Sequence, residues 1–289
     1  ITLTVNDQIN LTKANALDLK TFGTVKVNKV IEGLTDLSTL DSSSSISIAT
    51  AEITIDEAIT NKTDLQTVLG YTSGTVKVPT ITEDKTDLAS IALNSGTFAK
   101  ASLTGAAITV TGQITKGEAE TIDAYHGGSG TVTVQSVSGS VTDMTNLDGD
   151  ATISIAGAAI ALSGDISFAN ADKVDKYTNG DTTVTSVSDT IANVKKIHQL
   201  ADVKMGGAAV TVSDSITNKT DIQETLTFTT GTVTVQTVSE DKTDLAALAN
   251  AGGAYGRARL TGAAITVTGQ ITKAEAETID GYHGGTGTV

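Results

Sequence analysis

The sequence has no cysteine, no tryptophan and a single proline, Pro79, and aromatic residues make up only 3 % of it. Without cysteine there is no disulfide, thiolate zinc site or thiol nucleophile. The scarcity of aromatics argues against base-stacking platforms and against a large aromatic-lined ligand pocket. Positive charge is also short: 19 Lys and Arg face 33 Asp and Glu, for a net charge of −14. That rules against nucleic acid as a partner, because a basic stripe supplies most of such affinity, and it disfavours docking on anionic lipid. No stretch approaches the ~18 consecutive apolar residues of a membrane helix, so no membrane insertion is expected. No signal peptide is visible; the chain begins at Ile1 rather than Met, which fits a missing natural N-terminus.

What is abundant is threonine, 51 of 289 residues, set among 39 % hydrophobic residues that are mostly Ala, Val, Ile and Leu. Such a composition can bury a continuous core of small and β-branched side chains and is not that of a disordered chain. The order of these residues is repetitive. Residues 108–132 read ITVTGQITKGEAETIDAYHGGSGTV and residues 265–289 read ITVTGQITKAEAETIDGYHGGTGTV, differing at Gly117/Ala274, Ala124/Gly281 and Ser129/Thr286. The same offset of 157 residues relates 82–88 (TEDKTDL) to 239–245 (SEDKTDL) and makes 103–112 identical to 260–269. Within this superrepeat, weaker units open near Leu3, Ile53, Ile108, Ile160, Val210 and Ile265, spaced by 50 to 55 residues. Each splits again into halves of about 25 residues. Periods of this size mark a stacked array. Separate 50-residue beads are the competing reading, against which stands the lack of Gly/Ser linkers between units.

Segments such as 131–137 (TVTVQSV), 232–238 (TVTVQTV) and 75–78 (TVKV) alternate Val with polar residues, the signature of a half-buried strand. A second strand type reads ISIA at 46–49 and 153–156 and RARL at 257–260, and a Gly-Ala turn leads into the next strand. Between strands lie helical stretches. In 115–126, Ala119, Ile122 and Tyr125 share one face, Lys116, Glu118, Glu120 and Asp123 fill the other, and Gly127-Gly128 stops the helix. Thr-Asp followed by Leu, Ile or Met recurs at Thr35, Thr63, Thr86, Thr142, Thr220 and Thr243. The Thr or Asp is suited to cap a helix and the aliphatic residue to plug the core. Four copies carry a preceding lysine, Lys62, Lys85, Lys219 and Lys242, expected to sit beside the Asp. The expected fold is a β-rich solenoid, parallel β-helix-like, with short α-helices in each coil, forming one continuous array over residues 1–289. Spacing leaves open whether one turn takes about 25 or about 50 residues.

No residue set stands out as catalytic, cofactor-binding or metal-binding. His126, His198 and His283 lack companions for a metal site and read as surface residues. Glu83-Asp84 and Glu240-Asp241, with Asp87 and Asp244 nearby, offer oxygen ligands, so Ca2+ is the one cofactor considered. Against it, Gly127-Gly128-Ser129-Gly130-Thr131 has Thr where the calcium-binding β-roll nonapeptide needs Asp. Thr-x-Thr pairs at Thr109/Thr111, Thr131/Thr133, Thr232/Thr234 and Thr266/Thr268 suggest an ice-binding array, but Thr54/Asp56 and Ala161/Ser163 interrupt it. The Gly-rich run is no phosphate loop, since no Gly-Lys-Ser/Thr follows. The sequons at Asn10, Asn61 and Asn218 suit a surface. No Ser/His/Asp set or groove of clustered acids suggests a hydrolase or a solenoid lyase, so no enzymatic activity is expected.

The chain starts and stops within its repeat pattern with no visible capping segment. A window on a longer chain, or coils stacking end to end between subunits, would both give a long fibre. The strand–Ser-Asp–helix units, as in VTVSDSITNKTDI and VTSVSDTIANV, resemble those of very large secreted bacterial repeat proteins, known mainly from cyanobacteria and proteobacteria. That resemblance spans the chain and implies an extracellular or cell-surface filament, sheath or surface-layer component, or else the stalk of an adhesin. It implies partners reached by end-to-end or lateral self-association, with surface polysaccharide as a further candidate, and carries over no catalytic residue.

Overall fold

The computed structural model describes residues 1–250, 253–284 and 287–289. Position 286, where the second 25-residue block carries Thr in place of Ser129, lies outside them. The chain forms two compact units, Ile1–Ser136 with Leu147–Ile155 and Val137–Asn146 with Ala156–Val289. Both are built the same way: parallel strands alternate with helices of eight to ten residues, and each helix carries the chain back to start the next parallel strand. Helices contribute about as many residues as strands, so the arrangement is alternating α/β. Among the described residues, no helix is long and apolar enough to cross a membrane.

In the first unit, strand Leu3–Ile9 pairs with Val25–Glu32. Val25–Glu32 then forks: its first half pairs with the short strand Ile46–Ser47 and its second half with Glu52–Ile55. Glu52–Ile55 leads on to Val76–Lys77 and Ala101–Ser102, while Thr80–Asp84 pairs with Ala107–Thr115. In the second unit, Ala159–Ile166 pairs with Thr182–Asp189, which forks to Val203–Lys204 and Ala209–Ile216. Ala209–Ile216 pairs with Val233–Asp241, which forks to Ala258–Arg259 and Ala264–Thr268.

This topology resolves the two periods in the sequence. Paired residues lie from 21 apart (Val25 and Ile46) to 27 apart (Thr237 and Ala264), so one rung takes about 25 residues. The 50-residue period is the distance between forks, because the ladder steps sideways once every second rung.

Most of the helices bury residues spaced three apart, a narrow stripe that holds a short helix on a sheet, whereas Leu11–Asp18 and Lys273–Asp280 bury one residue each, Ala14 and Ile279. Leu37 with Leu40, Leu88 with Ile91, Met144 with Leu147, Val194 with Ile197 and Leu245 with Leu248 are all at most 1 % exposed. The aliphatic residue after each Thr-Asp pair is the first of these plugs: Leu37, Leu65, Leu88, Met144, Ile222 and Leu245 are fully buried. The strands supply the facing layer, with Val25, Ile53, Val76, Val132, Val184, Val210 and Val233 inside and Thr or Lys outside. Pro79 separates Val76–Lys77 from Thr80–Asp84, whereas Gln236, 157 residues on, lies within the unbroken strand Val233–Asp241; proline has no N–H to give the ladder.

The corners, Gly-Ala in three cases and Thr50-Ala51 in the fourth, are four-residue turns closed by Ala51, Ala106, Ala208 and Ala263, whose N–H groups bond to the carbonyls of Ile48, Leu103, Met205 and Leu260. These alanines are fully buried, and their carbonyls need partners. The next rung supplies one. Thr72 Oγ1 donates to the Ala51 carbonyl at 2.6 Å and accepts from Gly74 N at 2.9 Å; Thr229 does the same between Ala208 and Gly231, at 2.5 and 2.8 Å. A Cβ on Gly74 would lie 2.3 Å from the Ala51 carbonyl oxygen, and one on Gly231 2.2 Å from that of Ala208.

Gly74→Ala should therefore destabilise the protein by ~1–3 kcal/mol, the usual range for overpacking against a fixed neighbour. Gly70→Ala, four residues earlier in helix Lys62–Tyr71 with nothing within 4 Å of a new Cβ, should instead stabilise by ~0.5–1 kcal/mol. Urea midpoints of the two variants moving in the same direction would contradict this account.

Candidate functional site

The polar side chains that the sequence offers for chemistry are placed at the helix ends. The first four N–H groups of any helix lack an internal partner and attract carboxylates. In three successive junctions of each repeat, the carboxylate comes from the following rung. Glu32 and Glu57 accept from Leu11 N and Leu34 N, and Glu83 from the backbone N–H of Lys62. At positions 157 higher, Asp189 accepts from Phe168 N at 2.8 Å, Asp214 from Ile191 N at 2.8 Å, and Glu240 from the backbone N–H of Lys219. Helices Lys116–Asp123 and Lys273–Asp280 are capped locally instead, by Thr115 with Glu118 and Thr272 with Glu275 in reciprocal capping boxes.

A second set of bonds runs between neighbouring helices. The lysines that precede Thr-Asp do not pair with the Asp of their own helix, as the sequence suggested; they reach the next one. Lys62 bonds Asp87 and Lys219 bonds Asp244. Lys85 meets Glu118 at 2.6 Å, Lys242 meets Glu275 at 2.7 Å, and Lys195 holds Asp221 and Glu224, each at 2.8 Å. The helix at residues 62–71 also receives a cation at its other end, where Lys100 donates to the carbonyls of Leu69 and Thr72. In the second copy Arg257 donates to those of Leu226 and Thr229, placing positive charge at the negative end of the helix dipole.

The acidic pairs considered for Ca2+ are engaged in this scheme. Asp84 accepts from Thr86 N and Asp87 N, Asp241 from Thr243 N and Asp244 N, and Glu83 and Glu240 cap the previous helix. Among the described residues no group of three or more His, Asp or Glu is arranged to hold a metal ion. The three sequon asparagines are helix caps, accepting from Lys13 N, Thr63 N and Thr220 N. Also, the caps lie before the Thr-Asp pairs, which occupy the first helical turn. The outward Thr columns are mixed with cations, Thr54 opposite Lys77, Thr183 opposite Lys204 and Thr234 opposite Arg259.

Two histidines depart from expectation. His126 is fully buried and His283 is 2 % exposed. Nδ1 of His126 accepts from Gly128 N at 3.2 Å and Gly130 N at 3.0 Å, so the ring proton sits on Nε2, 2.9 Å from Asp123 Oδ1. His283 repeats this with Gly287 N and Asp280, both at 3.1 Å. The imidazole here does for Gly130 what the hydroxyl of Thr72 does for Gly74. A surface reading failed because the residue follows a helix end, but that end folds under the next strand. His198 is exposed and stacks on Phe228, ring centroids 4.0 Å apart.

The carboxylates differ in their proton affinity. Lys242, with help from Thr272 N–H, holds Glu275 down to about 2, and Lys85 and Thr115 N–H lower Glu118 in the same way. Burial, and then repulsion from Asp244 or Asp87, raises Glu240 and Glu83 despite their backbone bonds. One oxygen of each, Oε1, is buried without a hydrogen-bond partner. No protein-family model, curated protein or solved structure matches the chain.

Two predictions follow from this chemistry. Glu83 and Glu240 have raised folded values, so their contribution is present below ~4.5 and is lost as pH rises. Glu275 and Glu118 have lowered values, so theirs is present above ~4.5 and is lost as pH falls toward 2. The urea midpoint should thus rise as the pH is lowered from neutral toward ~4.5 and fall as it is lowered further toward 2, and Glu83→Gln with Glu240→Gln should flatten the first limb alone. An unchanged first limb in that double variant would refute the assignment. His126→Ala empties a buried side-chain site and leaves the N–H groups of Gly128 and Gly130 without their acceptor, and should cost ~1–3 kcal/mol. Long-range nitrogen–proton NMR should find His126 as the Nε2–H tautomer; an Nδ1–H signal would be incompatible with the turn.

Proposed function

We propose that this chain is a stretch of a structural α/β solenoid on the cell exterior, part of a filament, sheath or surface layer in which rungs stack from one copy to the next. The observation that carries this reading is where the polar side chains are spent. The acids at 32, 57 and 83 and those at 189, 214 and 240 each cap the helix of the preceding rung. The lysines at 62, 85, 219 and 242 each hold the following helix. A chain whose charged groups bind rung to rung at equivalent positions of both copies is suited to extension rather than to a single reaction centre. The resemblance of the Ser-Asp units to large secreted bacterial repeat proteins supports an exported location, and the net charge of −14 would keep neighbouring rods apart unless cations bridge them.

Chains carrying one, two and three additional 157-residue copies test this. Small-angle scattering should give a maximum dimension that grows in proportion to copy number, and negative-stain images should show rods or fibres of constant width. Growth in all three dimensions, as for a closed globule, would defeat the proposal. Single rods of fixed length ending in a separate head, seen for the full natural chain, would move the role to an adhesin stalk.

A further inference from the structure

We propose that the grooves beside Tyr71, Tyr125 and Tyr282 are binding subsites for a neutral polysaccharide. Aromatics are rare in this chain, and its five tyrosines, at 71, 125, 177, 255 and 282, share one kind of place. Four lie at or within two residues of the C-terminal end of a helix and Tyr255 six residues past Lys242–Ala249, and each faces the fifth residue of the helix before it. In two cases that fifth residue closes the contact: Tyr177 Oη lies 3.2 Å from Thr145 Oγ1, and Tyr255 Oη donates to Gln223 Oε1 at 3.4 Å.

Opposite Tyr125 and Tyr282 the fifth residue is Ala89 and Ala246, too short to reach, and a groove opens beside each ring, of 270 and 260 Å³. Tyr71 borders a third, of 430 Å³, against Ser38. None of these three hydroxyls has a hydrogen-bond partner among the described residues, and all three rings are half-buried. Thr145 and Gln223 bridge this helix-to-helix station to Tyr177 and Tyr255, whereas Ser38, Ala89 and Ala246 leave the hydroxyls of Tyr71, Tyr125 and Tyr282 facing an open groove.

The chemistry of the grooves selects the ligand. A tyrosine offers an apolar face and a hydroxyl that both donates and accepts, matching a sugar ring, which has C–H faces and alternating hydroxyls. The charged groups at the rim of the paired grooves cancel, Lys85 with Glu118 at 2.6 Å and Lys242 with Glu275 at 2.7 Å, leaving no net charge to attract an ion. The overall −14 repels acidic polymers. Grooves this small lie at or below the ~300–1,000 Å³ of sites for drug-sized ligands, so each would hold about one sugar unit weakly. A long polymer would bind through several grooves at once, gaining up to ~10²–10⁴-fold in avidity.

Affinity electrophoresis in gels containing laminarin, dextran or galactomannan, with polygalacturonate as the acidic control, tests the proposal. Tyrosine emission provides a second readout, undisturbed because there is no tryptophan. Retardation by at least one neutral polymer, with a change in tyrosine emission, is the expected result. Ala89→Thr with Ala246→Thr recreates the Thr145–Tyr177 contact in both paired grooves. It should weaken retardation at least tenfold while leaving the urea midpoint unchanged or higher. Should that variant misfold, Tyr125→Phe with Tyr282→Phe, which keeps the ring and removes the hydroxyl, must weaken binding as well. No retardation by any of the three neutral polymers, retardation by polygalacturonate alone, or neutral binding that the folded double variants leave intact would each overturn the proposal.

Discussion

The satisfaction of helix ends between successive rungs is the constraint on which the rest of this structure depends. Parallel pairing of strands about 25 residues apart obliges the chain to return by a crossover, and a crossover of eight to ten residues is a helix with more unsatisfied terminal groups than internal bonds. Such helices are marginal alone. What holds them is a short apolar stripe on one side and, at several ends, charge supplied from outside: Glu32, Glu57, Asp189 and Asp214 at N-termini, and Lys100 or Arg257 at the C-terminus of the two longest helices. At the junctions made by Glu32, Glu57, Asp189 and Asp214 a rung completes the hydrogen bonding of the one before it, while helices Lys116–Asp123 and Lys273–Asp280 are capped within their own segment.

The same logic operates at the corners. The alanine carbonyl buried at each turn is a polar group that must be paired. The Thr-x-Gly of the next rung pairs it with a hydroxyl, and the Gly clears the space. Where the sequence reads His-Gly-Gly-x-Gly, a longer loop brings an imidazole to the same backbone N–H, with Asp123 or Asp280 fixing its tautomer. The 25-residue blocks that are most alike between the two copies contain this loop, the capping box and the Lys–Glu contact together. Their similarity thus coincides with a cluster of local bonds around the helix and its following loop, joined to the previous helix by Lys85 or Lys242.

Much of this was legible in the sequence. Alternating Val and Thr placed the strands, the aliphatic residue after Thr-Asp named the core plugs without error, and the 157-residue offset anticipated which contacts would recur. The lateral fork was hidden because periodicity reports spacing and not pairing: Val25 and Lys29 belong to one strand yet pair with different ones. The burial of His126 was hidden because a histidine after a helix carries no hydrophobic pattern. Its clue was the glycine four residues on, at the station that Gly74 and Gly231 hold after threonine. The lysine partners were misassigned because sequence proximity suggested Asp64 for Lys62, whereas a lysine at the first helical position points along the sheet, toward the next helix, and not along its own axis.

The capping acids show why such a site escapes a search for motifs. Glu32 and Glu83 sit on strands and Glu57 in the bend after Glu52–Ile55, 25 and 26 residues apart, and the substitution of Asp at 189 and 214 in the second copy conceals the correspondence. A shorter carboxylate can serve there because Asp189 is also held by Asn193 and by Thr190 N–H; burial opposes its charge, yet together with Phe168 N–H these bonds keep it below the usual carboxylate range. Glu83 and Glu240 lack such help, retain a buried oxygen without a partner, and lie on the other side of that range. Corresponding carboxylates thus differ in the ease with which they take up a proton, and the difference follows from how many N–H groups each can reach. In a repetitive α/β fold, repetition of shape does not impose repetition of electrostatics, and the junctions at Glu83 and Glu240 are the ones whose bonding responds first as the surroundings become acidic.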